Sequence, residues 1–386
     1  MEEKSEDIFD MAKKSDDNEA IDKAKERIVS VDVLRGFDMF WITGGSGIFL
    51  AIFKLFGGKV EQWLTPQLQH AEWQGFYFYD LIFPLFVFIV GMSVVFSLQK
   101  ILETKGKKAA YTRLTRRFTI LFLLGIIYYG GIARGVENIR LLGVLQRLAL
   151  TYLFTSIVFI HFRLRGLIFT FFALLLSYWV LLSFIPVPGL GHVSFAEGQN
   201  WAHWVDQHFL PLKKWDGNWD PEGLLSTIPA IGSCLLGLFA SLLLREKSIA
   251  DMNKVYWLVG GGVALVVIGY VWGLQFPVIK KIWTSSYVLV AGGYSLMLLG
   301  VFYLVLDVWK IRKWATIFVW IGMNPITIYM ARNIVNFNDL ARRFVGGELQ
   351  TLFGNKISYL LLMAVSLVLT LALARFLFKR KIFIRI

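Results

Sequence analysis

Ten stretches of this chain are apolar for long enough to cross a membrane, and they decide its class before any motif is read. They run near 33–56, 78–101, 117–134, 141–162, 166–186, 224–244, 255–275, 284–307, 314–333 and 357–378. A spanning helix needs about 20 mainly apolar residues to cross about 30 Å of hydrocarbon. Lipid offers no partner to backbone N–H and C=O groups, so each run must close its own hydrogen bonds as a helix. The runs are continuous rather than alternating, which excludes a barrel. Hydrophobic residues make up 56% of the chain, with 33 Phe and 14 Trp; a soluble domain holds about 45–50% apolar residues. The expected architecture is all-α: a polytopic integral membrane protein of about ten transmembrane helices.

Lys and Arg in short loops set the orientation. One side collects Lys23, Lys25 and Arg27, then Lys105, Lys107, Lys108, Arg113, Arg116 and Arg117, then Arg163, Arg165, Arg245, Lys247 and Lys254. Lys310, Arg312, Lys313, Lys379, Arg380 and Lys381 join that side. The other side holds Lys59, Arg134, Arg140, Lys213, Lys214, Lys280, Lys281, Arg342 and Arg343, roughly half as many. Both termini are therefore expected in the cytoplasm, with the loops at 57–77 and 187–223 outside it. The net charge of +13 follows from this bias, and no nucleic-acid partner is implied. Residues 1–26 read as a charged cytoplasmic tail, with ten acids against five lysines and no apolar core of a signal peptide. The membrane domain occupies 27–386. The single cysteine, Cys234, lies inside a span and offers neither an intramolecular disulfide nor a metal cluster.

His70 is the residue with the most chemical promise. It stands in Gln69-His70-Ala71-Glu72-Trp73-Gln74-Gly75, just ahead of the span that opens Tyr79-Asp80-Leu81-Ile82-Phe83-Pro84. Histidine titrates near neutral pH and can accept and return a proton. A lone histidine is most often only hydrogen-bonded in place. The acidic, aromatic and proline-helix setting separates this one from His161 and His203.

Ionisable groups inside spans are expensive and usually functional. Asp32, Arg35 and Asp38 fall on a shared flank of the first span, as a self-neutralised charge ladder or as a place where Arg35 holds an anion such as a phosphate. Arg147 in the fourth span needs a partner, with Asp80, Glu222 and Asp32 as candidates. Glu222, in Asp220-Pro221-Glu222-Gly223, suits a helix N-terminus for dipole reasons alone. Asn324 precedes Pro325 in the ninth span, where it either patches a kink or meets a ligand amide. Gly44-Gly45-Ser46-Gly47 reads as a broken or closely packed helix rather than a phosphate loop. The loop at 187–223 carries Trp201, Trp204, Trp215 and Trp219. Such faces pack on sugar rings and also mark membrane interfaces.

Several of these islands, in order, resemble the transmembrane acyltransferases related to heparan-alpha-glucosaminide N-acetyltransferase, in a bacterial-type version. The strongest block is His70-Ala71-Glu72-Trp73-Gln74-Gly75 followed by Asp80-Leu81-Ile82-Phe83-Pro84. Ser30-Val31-Asp32 with Arg35-Gly36, Gly143-Val144-Leu145-Gln146-Arg147, Asp220-Pro221-Glu222-Gly223 and Gly322-Met323-Asn324 add to it. The resemblance runs from about Arg27 to the last span. It implies an acetyl-CoA-dependent enzyme, without a metal, that moves acetyl from the cytosol to an amino sugar or glycan on the far side of the membrane. The family's active-site histidine matches His70. One departure is Thr43, where relatives often carry Asn, so substrate details are expected to differ.

On this reading His70 and Asp80 are catalytic, and Glu72, Trp73, Arg147, Glu222 and Asn324 meet the acceptor. Asp32, Arg35, Arg113, Arg116 and Arg117 meet the donor, because CoA phosphates need cations on the cytoplasmic side. His70 acts either as a general base toward the sugar amine or as an acyl carrier. A bacterial cytoplasmic membrane is the expected location, and a homodimer is compatible with the reading. Two rivals are a sugar permease without chemistry and an O-acetyltransferase of envelope glycans.

Overall fold

A computed structural model describes residues 28–383, so the acidic tail at 1–26 lies outside the described residues. The helices, in chain order, are α1 (Val29–Phe40), α2 (Ser46–Phe56), α3 (Gly58–Leu64), α4 (Ile82–Tyr128), α5 (Val144–His161) and α6 (Leu164–Phe184). They continue with α7 (Trp201–Phe209), α8 (Thr227–Arg245), α9 (Asp251–Gly273), α10 (Ser285–Tyr303) and α11 (Thr316–Gly322). α12 (Pro325–Ile334), α13 (Phe337–Val345) and α14 (Glu348–Lys379) complete the chain. The β structure among the described residues consists of isolated bridges.

Among the described residues, eight helices are long and apolar enough to cross a membrane. The number is nine if the pair Lys313–Gly322 and Pro325–Ile334, bent by 67°, counts as one span. That bend follows from Pro325, which has no N–H to continue the preceding helix and clashes with it. Asn324 takes up the non-helical backbone at the break, with φ −136° and ψ 49°.

The longest helix is not straight. Gly106 interrupts α4 with φ 75° and ψ −178°, a conformation that glycine adopts without a Cβ penalty. Arg117 Nη1 then donates to Ser93 Oγ at 3.1 Å across a separation of 24 residues. Along one straight helix those positions would lie about 36 Å apart. α4 is therefore a hairpin whose second arm folds back along the first.

α8 and the first arm of α4 form the centre of the bundle, buried along most of their length, whereas α6 and α9 turn largely outward. Helices in lipid gain no hydrophobic driving force from one another, so small residues that let backbones approach carry the packing. A Cβ at Gly91 would stand 1.7 Å from the Cys234 carbonyl oxygen, and one at Gly237 would stand 1.8 Å from that of Phe88. These two glycines bring α4 and α8 into backbone contact.

The long segment between α6 and α8 is ordered by its own polar groups. Asn200 caps α7 by accepting from the His203 N–H at 3.0 Å. His203 stacks on Trp219 with ring centroids 3.7 Å apart. Asp206 accepts from the N–H groups of Asp220 and Leu224 at 3.2 and 2.9 Å, closing the segment onto the start of α8.

Candidate functional site

His70 sits in an irregular segment between two short 3-10 turns, Pro66–Leu68 and Phe78–Leu81. Asp80 holds the segment's ends together. Its Oδ2 accepts from the backbone N–H groups of Ala71 and Tyr77, each at 3.1 Å. Its Oδ1 lies 2.9 Å from His70 Nδ1. The Asp80 side chain is fully buried while that of His70 is 53% exposed, so the carboxylate anchors a ring that a substrate can reach. An ionised carboxylate only accepts, so Nδ1 must carry the hydrogen and Nε2 keeps its lone pair. Tyr79 lies against the ring at 4.9 Å between centroids.

A third group arrives from far along the chain. Lys280 Nζ lies 2.8 Å from His70 Nδ1, 3.3 Å from Nε2 and 3.3 Å from Asp80 Oδ1. Burial holds its ammonium below the ordinary lysine value, with Asp80 opposing the shift. The segment that delivers Lys280 is tightly determined. Gly75 N–H donates to the Val278 carbonyl at 3.0 Å. Ile279 N–H donates to Thr284 Oγ1 at 3.1 Å, and Ser286 Oγ donates to the Phe276 carbonyl at 2.6 Å. Trp283 closes the turn at φ 52°, a left-handed conformation that costs a non-glycine residue roughly 1–2 kcal/mol. Its indole, buried in the bundle, donates to Ser233 Oγ at 3.1 Å.

These groups open onto a cavity of about 390 Å³. Its walls come from the start of α4 (Phe83), the end of α4 (Tyr128, Tyr129), the loop before α5 (Arg140) and α12 (Tyr329). Trp215, Asp216, Pro221 and Glu222 from the long segment between α6 and α8, with Lys280, Lys281 and Trp283, complete it. Volume and lining suit one small polar ligand held against aromatic faces.

An ion cluster borders the same cavity. Arg140 forms a bidentate pair with Asp220, Nε to Oδ2 at 2.7 Å and Nη2 to Oδ1 at 2.6 Å, and reaches Glu222 Oε2 at 2.5 Å. Its guanidinium lies over the rings of Tyr129 and Trp215, at 4.5 and 4.8 Å. Burial works against its charge, yet Asp220 and Glu222 together hold its pKa above the ordinary arginine value. Glu222 thus borders the cavity, with Arg140 as its partner.

Arg147 takes none of the carboxylates expected for it. Its fully buried guanidinium donates from Nη2 to Ser226 Oγ at 2.5 Å and to the Gly223 carbonyl at 3.3 Å, and it lies over the Trp283 ring at 4.9 Å. Arg140, one helical start earlier, has already engaged Asp220 and Glu222. Arg147 therefore backs the cavity through Trp283 rather than lining it.

The other expected site residues scatter. Glu72 is exposed, and neither it nor Trp73 lines the cavity. The Trp73 indole donates to the Phe195 carbonyl at 3.0 Å and packs edge-on against His203 and Trp219, tying the His70 segment to the segment between α6 and α8. Asn324 is buried at the α11–α12 bend and donates to the Ile382 carbonyl at 2.9 Å. In α1, Arg35 meets Asp32 at 3.4 Å, but Asp38 does not extend a shared ladder. Six residues at 3.6 per turn rotate it about 120° away from Asp32. Both its carboxyl oxygens are buried without a hydrogen-bond partner among the described residues. Arg113 and Arg116 are exposed, whereas Arg117 turns inward onto Ser93 and the Tyr152 ring, 4.3 Å from its centroid. The three arginines are therefore not one patch.

Sequence reasoning missed Lys280 and Arg140, which entered it only as loop charges. The one available signal was for Arg140, which stands three residues before the Gly143-Val144-Leu145-Gln146-Arg147 island; nothing local marked Lys280.

The chain is a distant homologue of heparan-alpha-glucosaminide N-acetyltransferase. It is 29% identical to the human protein of that name over 366 residues, taking in 80% of this chain and 53% of the human one. It is 27% identical to the mouse protein over 363 residues, 79% of this chain and 54% of that one. The chain thus spans about half the length of the curated relatives it matches. No family model matches it.

Proposed function

We propose that this protein is a membrane acetyltransferase that transfers acetyl from acetyl-CoA to the amine of a glucosamine-type sugar, with His70 as the general base. The observation that carries the reading is the state of His70. Its Nδ1–H is committed to the buried Asp80 carboxylate 2.9 Å away, and more than half of its side chain remains exposed beside the cavity. That leaves Nε2 as a basic lone pair next to a space for one sugar. The relatives named as N-acetyltransferases give the reaction class.

The chemistry follows from the geometry. A sugar amine at Nε2 attacks the thioester carbonyl as its proton passes to the imidazole. The same proton then goes to the departing CoA thiolate. General-base assistance of this kind contributes about 10²–10⁴-fold. An acyl-imidazole route would use the same nitrogen. Trp215, 60% exposed at the cavity, offers a flat face to a sugar ring, and Glu222 offers an acceptor to its hydroxyls or ammonium. The donor comes from the cytoplasm, where the Gly106 hairpin lies by the positive-inside pattern. Arg113 and Arg116 are exposed on the second arm of α4 and would meet the CoA phosphates there, whereas Arg117 is turned inward onto Ser93 and the Tyr152 ring. If both arms of α4 and the bent pair Lys313–Gly322 and Pro325–Ile334 all cross, the spans number ten, and the reading then puts both termini in the cytoplasm of a bacterial cell.

The test is direct. Purified protein with acetyl-CoA and glucosamine should release free CoA thiol and form the N-acetyl sugar, and His70→Asn should abolish both. No thiol release with any amino sugar in the presence of folded protein would refute the reading. Release only with sugars that lack a free amine would move the acceptor to a hydroxyl.

A further inference from the structure

We infer that Lys280 is a catalytic residue of this reaction: its ammonium holds the acetyl oxygen while the carbonyl carbon beside His70 Nε2 is tetrahedral. The inference rests on the acetyl-transfer reading and adds a residue that the reading does not use.

The argument is geometric. A general base works on an amine about 3 Å from its nitrogen. The attacked carbonyl carbon is one forming bond further, and its oxygen one bond beyond that. Lys280 Nζ stands 3.3 Å from Nε2 and borders the same cavity, so a carbonyl oxygen at that distance from the ring falls within its hydrogen-bond reach. The donor count permits it. An ammonium has three N–H groups and no acceptor. With Nδ1–H given to Asp80, the 2.8 Å approach of Nζ to Nδ1 is a contact and not a hydrogen bond; one N–H is then directed to Asp80 Oδ1 at 3.3 Å and one to Nε2 at 3.3 Å, which leaves one for a ligand oxygen. When the amine takes the place at Nε2, a second becomes free.

The steps balance. The amine nitrogen bonds to the carbonyl carbon and its proton passes to Nε2. The C=O electron pair moves onto oxygen, where the Lys280 charge meets it. The pair returns as the C–S bond breaks, and His70 gives its proton to the CoA sulfur. Lys280 ends as it began, still paired with Asp80.

The fold invests in placing this amine. The segment before α10 is pinned to the His70 loop by the Gly75–Val278 hydrogen bond and by the bridge between Gln74 and Ile279. It also accepts the left-handed Trp283 in order to turn within the bundle. A lysine needed only to neutralise Asp80 would not require contact with both ring nitrogens of a half-exposed histidine.

The decisive variants are Lys280→Met and Lys280→Arg in the full chain, with His70→Asn alongside. For Lys280→Met, kcat should fall about 10²–10³-fold, with the KM of acetyl-CoA and of sugar changed less than threefold. A pH profile separates this from a structural role. Six charged or titratable groups face or adjoin Lys280: His70, Asp80 and Glu222, with Lys281, Tyr287 and Arg140 around them. Wild-type kcat should fall at alkaline pH as Lys280 deprotonates, on a limb below the ordinary lysine range. Lys280→Arg keeps a cation and an Asp80 pair, and should move that limb upward or remove it.

Near-normal kcat in folded Lys280→Met overturns the inference and leaves the acetyl-transfer reading intact. Retained turnover in His70→Asn overturns that reading instead. If Lys280→Met does not fold, Lys280→Arg decides: an alkaline limb unmoved from the wild-type position overturns the inference.

Discussion

Replacing Asp80 by Asn changes one atom and should remove nearly all turnover. Asp80 presents two acceptor oxygens to four donors. Oδ2 takes the Ala71 and Tyr77 N–H groups at 3.1 Å, and Oδ1 takes His70 Nδ1 at 2.9 Å and Lys280 at 3.3 Å. An amide has one acceptor oxygen and one donor nitrogen. Its oxygen must face the two backbone N–H groups, since the reverse orientation sets donor against donor twice in a buried place. The amide nitrogen then faces His70 and must donate to Nδ1. The ring answers by moving its hydrogen to Nε2, and the base becomes a donor. A carboxylate-to-amide change beside a catalytic histidine costs about 10⁴-fold in kcat for this reason, and on the order of 10³–10⁴-fold is expected here. The lost charge-assisted bond should lower stability by about 1.5–3 kcal/mol. Thiol release at saturating acetyl-CoA and sugar gives kcat, and a thermal melt in detergent gives the second quantity. A folded Asp80→Asn protein that turns over within tenfold of wild type would refute the tautomer argument, and with it the role of His70 Nε2.

Other perturbations test the surroundings. Arg140→Met should destabilise the protein by about 3–5 kcal/mol in a thermal melt, because it strands buried Asp220 and its neighbour Glu222; Arg140→Lys should recover only part of this, having no fork to match Asp220. His203 is a buried neutral ring whose pKa burial pushes down to about 3, against about 6.5 for a free histidine. The unfolded chain therefore binds the extra proton, and its share of stability is full above about pH 6.5 and declines as pH falls toward 3. Burial pushes Asp206 up to about 6, which acts in the opposite sense over part of that range, so the comparison should be made with His203→Phe. Between pH 6.5 and 4.5 the wild type should lose on the order of 2 kcal/mol relative to that variant, and parallel melting curves would refute the assignment. For orientation, single cysteines at exposed positions in 57–77 and 187–223, in a Cys234→Ser background, should react with an impermeant thiol reagent in intact cells. Labelling of Lys107→Cys with protection of both loops would invert the topology.

Sequence alone decided the membrane class, because the bilayer imposes a length and a helical closure that any sufficiently long apolar run must meet. It also identified His70 with Asp80, ten residues apart, because a short separation leaves the chain few ways to keep the two groups from meeting. Glu222 reads as a carboxylate at a helix N-terminus, but α8 begins at Thr227 and Glu222 pairs with Arg140 instead. Lys280 was not legible. It lies 210 residues from His70, and nothing in a short basic loop says which buried carboxylate it will neutralise. Arg140 and Arg147 show the same limit within one stretch of chain. Both needed anionic or polar partners, and only the packing of α5 against the start of α8 gave the carboxylates to the first and Ser226 to the second. Arg117 diverged from Arg113 and Arg116 because the hairpin at Gly106 turns one face of its second arm toward Ser93 and the others outward. Periodicity and hydropathy are local quantities. The partner of a charge is chosen by which helices come together, and in lipid that choice rests on close backbone contacts such as those at Gly91 and Gly237.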